Sequence, residues 1–189
     1  MVFDPLNPGM PIEITPAEFE LQVLRWLAKG AGSLDDPQIT HQGKVSGQGG
    51  EYAIDVLVRL TVFAGTQIVI FAECKRQRRP VERDEILALE AKLRDTGAHK
   101  GMLFSTSGFQ EGALKLAAAR GIATITVVPG EWLYETKSLN QPAVPPPWAN
   151  LPRFAGQFLT PLVDGYSCHT VDDEQSDVIR DFLNASPVR

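Results

Sequence analysis

The sequence predicts an α/β fold, a mixed β-sheet flanked by α-helices, with a C-terminal extension. Three observations carry that prediction. Apolar residues recur at helical spacing in separate segments, two strand-like runs are joined by a short Gly-containing loop, and strand and helix patterns then alternate as far as Val128. With 189 residues, 43% of them hydrophobic, the chain can build one full core.

Each element has a local reason. Thr15-Pro16-Ala17-Glu18 supplies an N-cap residue, Pro at the first helical position and Glu at the third. Phe19, Val23, Trp26 and Leu27 follow at helical spacing, and Gly30 or Gly32 ends the helix. The run Ile54 to Val62 alternates, with Ile54, Val56, Val58, Leu60 and Val62 toward the core and Asp55 opposite. Ala64-Gly65-Thr66-Gln67 is short enough to turn an antiparallel hairpin. Ile68 to Ala72 is apolar throughout, so it reads as a strand buried on both faces, and Glu73-Cys74-Lys75 continues it. Val81 to Thr96 then reads as a second helix with Ile86, Leu89 and Leu93 on one face, closing at Gly97. Gly101 to Ser105 is a short buried strand. A third helix opens at Ser107 or Gly108 and runs through Leu114, Leu116 and Ala117 to Gly121, before a strand from Ile122 to Val128. The order α, β-hairpin, β, α, β, α, β implies parallel neighbours and right-handed crossovers in its second half.

Beyond Val128 the pattern changes. Pro129-Gly130 signals a turn, and Gln141 to Trp148, with Pro142, Pro145, Pro146 and Pro147, reads as an extended linker. An acidic final helix is expected from near Asp172 to Leu183. Trp148, Phe154 and Phe158 read as packing residues rather than a base-stacking surface. Two units follow, residues 15–128 and an extension over 129–189 packed on the first.

The chemistry concentrates at the end of the buried strand. Period 2 puts Glu73 and Lys75 on one face and Cys74 on the other, and the hairpin brings Asp55 across from Glu73. Two carboxylates and an amine are thereby delivered to one place, as metal-assisted phosphodiester cleavage requires. Magnesium takes oxygen ligands, and an adjacent ammonium can hold a water and stabilise charge on phosphate. A bare Glu-x-Lys is far more often a surface ion pair. Its placement, at the end of a doubly apolar strand beside a hairpin partner with an in-face Asp, favours the site. Lys75, Arg76, Arg78, Arg79 and Arg83 form a basic run that starts there, and Arg grips phosphates bidentately.

Composition excludes other classes. A net charge of -5 argues against a protein that coats nucleic acid nonspecifically. Cys74 and Cys168 suggest neither a disulfide framework nor a zinc site, and His41, His99 and His169 read as scattered surface residues. Gly47-Gln48-Gly49-Gly50 lacks the Gly-Lys-Ser/Thr of a phosphate-binding loop, which disfavours nucleotide hydrolysis. With no apolar run of membrane-spanning length and no signal pattern, a cytoplasmic protein is expected.

These residues in this order resemble the Mrr-type restriction endonucleases of the PD-(D/E)xK nuclease superfamily, which also contains archaeal-type Holliday junction resolvases. The resemblance runs from about Thr15 to Val128. It is carried by Phe19-Glu20, by Gly49-Gly50-Glu51-Tyr52-Ala53-Ile54-Asp55, by Glu73-Cys74-Lys75-Arg76, by Pro80-Val81 and by Gly97-Ala98-His99-Lys100-Gly101-Met102-Leu103-Phe104-Ser105-Thr106-Ser107. It implies a restriction-endonuclease-like fold and a Mg2+-dependent endonuclease acting on DNA, with Mn2+ as a substitute. Asp55, Glu73 and the Cys74 backbone carbonyl would be metal ligands, Lys75 the catalytic lysine, Glu20 a further acidic contributor, and Arg76, Arg78 and Arg79 phosphate contacts. One such site cuts one strand, so duplex cleavage implies a homodimer. Many Mrr-type domains carry Gln where Glu73 stands here. Glu51, four residues before Asp55, is either a further ligand or a solvated loop-end carboxylate. Two other readings stay open: a structure-specific, resolvase-like nuclease, and a nuclease-fold module that binds DNA or protein without cutting.

Overall fold

The computed structural model describes residues 12–62, 65–133 and 150–186. Its elements in chain order are α1 (Pro16–Ala31), β1 (Gln38–Ser46), β2 (Glu51–Val62), β3 (Thr66–Lys75), α2 (Arg83–Thr96), β4 (Lys100–Ser105), α3 (Glu111–Ala119), β5 (Ala123–Pro129), β6 (Phe154–Leu162), β7 (Gly165–Val171) and α4 (Asp177–Asn184). The strands form one seven-stranded sheet whose spatial order is the chain order. Strands β3, β4 and β5 are parallel, because α2 and α3 carry the chain back across the sheet between them. The antiparallel pairs β1–β2–β3 and β5–β6–β7 flank that centre. This is the mixed α/β architecture expected of a restriction-endonuclease-like fold.

Helices seal both faces. The Thr15 hydroxyl accepts from the Glu18 amide at 3.2 Å while the Glu18 carboxylate accepts from the Thr15 amide at 2.9 Å, so the capping box fixes where α1 starts. From there Phe19, Val23, Trp26 and Leu27 turn onto the sheet and, with Ile179 and Leu183 of α4, cover Val56, Val58, Ile70, Met102, Phe104 and Ile125. On the other face Ile86 and Leu89 of α2 and Ala113, Leu114 and Ala117 of α3 cover Leu57, Phe71 and Leu103. At about 1.5–3 kcal/mol for each large apolar side chain buried, both faces contribute to holding the parallel centre, where β3 lies.

Several elements depart from expectation, each for a visible reason. The sequence pattern does not mark β1, because its less exposed positions, Ile39, His41, Gly43 and Val45, include only two large apolar residues. The sequence pattern also assigns no element to Phe154 to Val171. It forms the β6–β7 hairpin, in which Phe154 through Leu159 are all buried and no alternation marks a strand. Helix α3 begins at Glu111, not at Ser107 or Gly108. Gly108 takes a left-handed φ of 75°, and Phe109 bridges to Val81, so these residues form a turn. The last helix begins at Asp177 because β7 runs to Val171 and the Asp172 carboxylate then accepts from the amides of Glu174 and Gln175, at 2.7 and 2.6 Å. Ile54 does not share a face with Val56, Val58 and Leu60; it packs with Leu57 on the α2 side. The regular alternation is broken at Asp55.

The expected proline linker and Trp148 lie outside the described residues, as does Ala64 of the hairpin loop. Among the described residues no helix is long and apolar enough to cross a membrane.

Candidate active site

Strand β3 carries Glu73 to the edge of the core on the α2 side, where it is only 6% exposed. A carboxylate this buried needs compensating charge or hydrogen bonds. Two ammonium groups provide it. Lys92 Nζ donates to Glu73 Oε1 at 2.7 Å, and Lys75 Nζ stands 3.9 Å from Oε2. Glu73 and Lys75 therefore share a face, and Cys74 packs toward the cluster beneath α1. Burial, reinforced by Asp55, Glu20 and Glu73, pushes the Cys74 thiol well above its usual range, so it stays protonated.

The antiparallel register sets Val56 opposite Ala72, which brings the preceding Asp55 to the Glu73 position on the neighbouring strand. Asp55 Oδ2 accepts from the Cys74 backbone amide at 2.7 Å. Burial holds the Asp55 carboxyl above the ordinary value; the Cys74 amide opposes that shift, Glu73 and Glu20 add to it, and Lys75 opposes it. These influences show that one strand end feels carboxylates from α1, β2 and β3 together.

Glu20 reaches this cluster from α1 on the support of β1. Its Oε2 pairs with His41 Nε2 at 2.7 Å and accepts from Gln42 Nε2 at 3.2 Å. Neighbouring residues on a regular strand point to opposite faces. His41 and Gln42 converge on one oxygen because Gln42 takes a φ of 51°, at the β1 position that faces Asp55. The expectation that His41 is an ordinary surface residue is thus corrected. Glu51, by contrast, is exposed and ion-paired with Lys44 at 2.8 Å.

The basic run is less uniform than its sequence. Arg76 Nε is spent on the Ile14 carbonyl, which ties the loop to the residues before α1. Arg79 pairs with Glu82 at 2.8 Å and Glu85 at 3.5 Å. Arg78 is exposed and has no ion pair among the described residues. The turn after β4 holds this loop's backbone: the Thr106 amide donates to Lys75 O at 3.1 Å, and the Ser107 hydroxyl to Arg79 O at 2.5 Å. Lys92 went unnoticed in the sequence because a lysine at the margin of an amphipathic helix reads as solvated. Its only signal was position, one turn after Leu89 at the border of the buried stripe.

No three His, Cys, Asp or Glu side chains among the described residues are drawn together closely enough to cage a metal ion. The donor set nevertheless fits a hard divalent cation, because magnesium needs only one or two carboxylates and completes its shell with water and substrate phosphate. Asp55 and Glu73, on adjacent strands, are such a pair.

Comparison with known proteins identifies a family. The family described as restriction endonuclease, the Mrr catalytic domain, matches residues 12–136. A solved structure of a protein of unknown function is similar over 57% of this chain and 55% of its own, with 21% identity and a TM-score of 0.44. A repair endonuclease from Pyrococcus abyssi is similar over 60% of this chain and 47% of its own, with 16% identity and a TM-score of 0.38. The chain spans about half the length of these two structures. Among curated proteins none matches.

Proposed function

The chain belongs to the restriction endonuclease family, and on that basis we propose that it is a divalent-metal-dependent endonuclease hydrolysing DNA phosphodiester bonds. The observation that supports this most is Glu73, buried at the end of β3 with Lys75 on its own face and Asp55 on the adjoining strand.

Asp55 and Glu73, with the Cys74 carbonyl, would hold Mg2+ or Mn2+. When bound, such an ion acidifies a coordinated water and offsets charge on the phosphoryl oxygens. Lys75 Nζ positions the attacking water beside the phosphate and adds positive charge as the transition state forms. The Cys74 amide fixes the Asp55 carboxylate, so that ligand is oriented before substrate arrives. His41 and Gln42 do the same for Glu20, which adds negative charge beside Asp55. Arg78 and Arg76 are the arginines of the loop best able to meet a phosphate, since Arg76 uses only Nε within the chain whereas both terminal nitrogens of Arg79 pair with Glu82 and Glu85. Cutting both strands of a duplex would take two copies, so a homodimer belongs to this reading.

The test is cleavage of supercoiled plasmid, branched DNA and methylated duplex with magnesium or manganese, against EDTA and a folded Lys75→Ala variant. We expect metal-dependent nicking that falls about 10²–10⁴-fold in Lys75→Ala. Equal traces in both proteins would mean contamination, and a non-cleaving module would replace the nuclease.

A further inference from the structure

We infer that Lys92 is the resident counter-cation of Glu73, a positioning residue that a divalent metal ion must displace to bind there. This rests on the metal assignment proposed above and adds a device to it.

Of the two ammonium groups near Glu73, Lys92 is much the closer, at 2.7 Å against 3.9 Å for Lys75. Only the shorter distance is a charge-assisted hydrogen bond. The Glu73 side chain is 7% exposed and that of Lys92 28%, so the pair lies where solvent screens poorly and the ammonium still has a way out. The backbone behind Lys92 is fixed, because Ile86 and Leu89 of the same helix are buried. Its four-carbon stem is flexible, so the ammonium can leave without moving the helix.

The consequence is a competition. Without metal, Lys92 holds the Glu73 side chain in place through that short contact inside a folded core. A divalent cation gains Glu73 Oε1 only by breaking that contact, so the metal affinity of DNA-free protein is held down. Bound DNA offers the released ammonium a phosphate, which couples metal binding to substrate; by linkage, metal strengthens DNA binding by the same factor.

The experiment measures Mn2+ binding to the full chain without DNA, by the paramagnetic resonance of free Mn2+, for wild type, Lys92→Met and Glu73→Gln. We expect Lys92→Met to bind about tenfold more tightly than wild type, as loss of a close, poorly screened like charge and competitor predicts. Glu73→Gln should lose the site. In EDTA, Lys92→Met should melt below wild type, and Mn2+ should restore more of its midpoint. Unchanged or weaker Mn2+ binding by Lys92→Met, with Glu73→Gln still deficient, would overturn this inference alone. Equal Mn2+ binding by wild type and Glu73→Gln would overturn the metal assignment and this inference with it.

Discussion

Lys92 and Lys100 stand toward opposite ends of the sheet's parallel centre, and each is drawn out of solvent toward a different kind of partner. Lys92 meets a formal charge, the Glu73 carboxylate that also faces Lys75. Lys100, at the start of β4 and 5% exposed, meets neutral oxygens. Its ammonium donates to the carbonyls of Phe182 at 2.6 Å, Leu183 at 2.9 Å and Ala185, and lies 5.3 Å from the centroid of the Phe182 ring. Those carbonyls close the C-terminus of α4, which has no later turn to satisfy them. A lysine so placed is an anchor, because its partners have no better ligand waiting. A lysine on a carboxylate that a divalent ion also suits is exchangeable. The same side chain therefore serves architecture at one end of the sheet and, in the proposed function, the metal site at the other.

The contrast can be broken most forcefully at Lys100. Replacing it with Ala leaves the carbonyls of Phe182, Leu183 and Ala185, the second of them buried, without this donor, and we expect urea denaturation to show a loss of about 2–4 kcal/mol, with Mn2+ affinity of the folded fraction unchanged. Stability within a few tenths of wild type would remove the anchor. A smaller effect is expected where α4 crosses α1. A Cβ at Gly30 would stand 2.6 Å from Ile179 Cγ2 and 3.2 Å from the Arg180 amide, so Gly30→Ala should cost about 1–3 kcal/mol and expose α4 to limited proteolysis. Resistance to protease equal to wild type would show that α4 can shift without detaching.

A further effect is in pH. Burial pulls the Lys100 ammonium down to about 8, below the value of about 10.4 for an unfolded lysine. Between those limits the unfolded chain binds more protons than the folded one, so stability rises with pH across that window. The penalty for the buried charge is complete below about pH 8 and gone above the unfolded value. Relative to Lys100→Met, wild type should gain stability from pH 8 to 10.5 in parallel urea titrations. A relative loss would mean that the three carbonyls outweigh burial.

Much of the fold was legible because its signals are local. The capping box of α1, the apolar run of β3 and the left-handed Gly97 that closes α2 each act within a few residues. What escaped depends on partners far along the chain. Strand β1 is amphipathic only weakly and exists because β2 offers it a ladder. Residues 154–171 read as an appendage, yet β6 pairs with β5 and carries the sheet onward through β7. The buried Gln22 of α1 donates to Asp173 at 2.8 Å, a bond that no periodicity could announce.

The candidate site divides along the same line. The sequence by itself determined that Glu73 and Lys75 share a face, that Cys74 turns away from them, and that a hairpin returns Asp55 to their level, because strand period and loop length are properties of short stretches. Only the tertiary structure decided that Lys92 pairs with Glu73, that His41 and Gln42 steady Glu20, that Arg76 Nε ties to Ile14 and that Arg79 pairs with Glu82 and Glu85. Those contacts join α1 to β1, α2 to β3 and the basic loop to its neighbours. A side chain's chemistry is written in its type, but the charge it meets is set by whatever folding brings within about 4 Å.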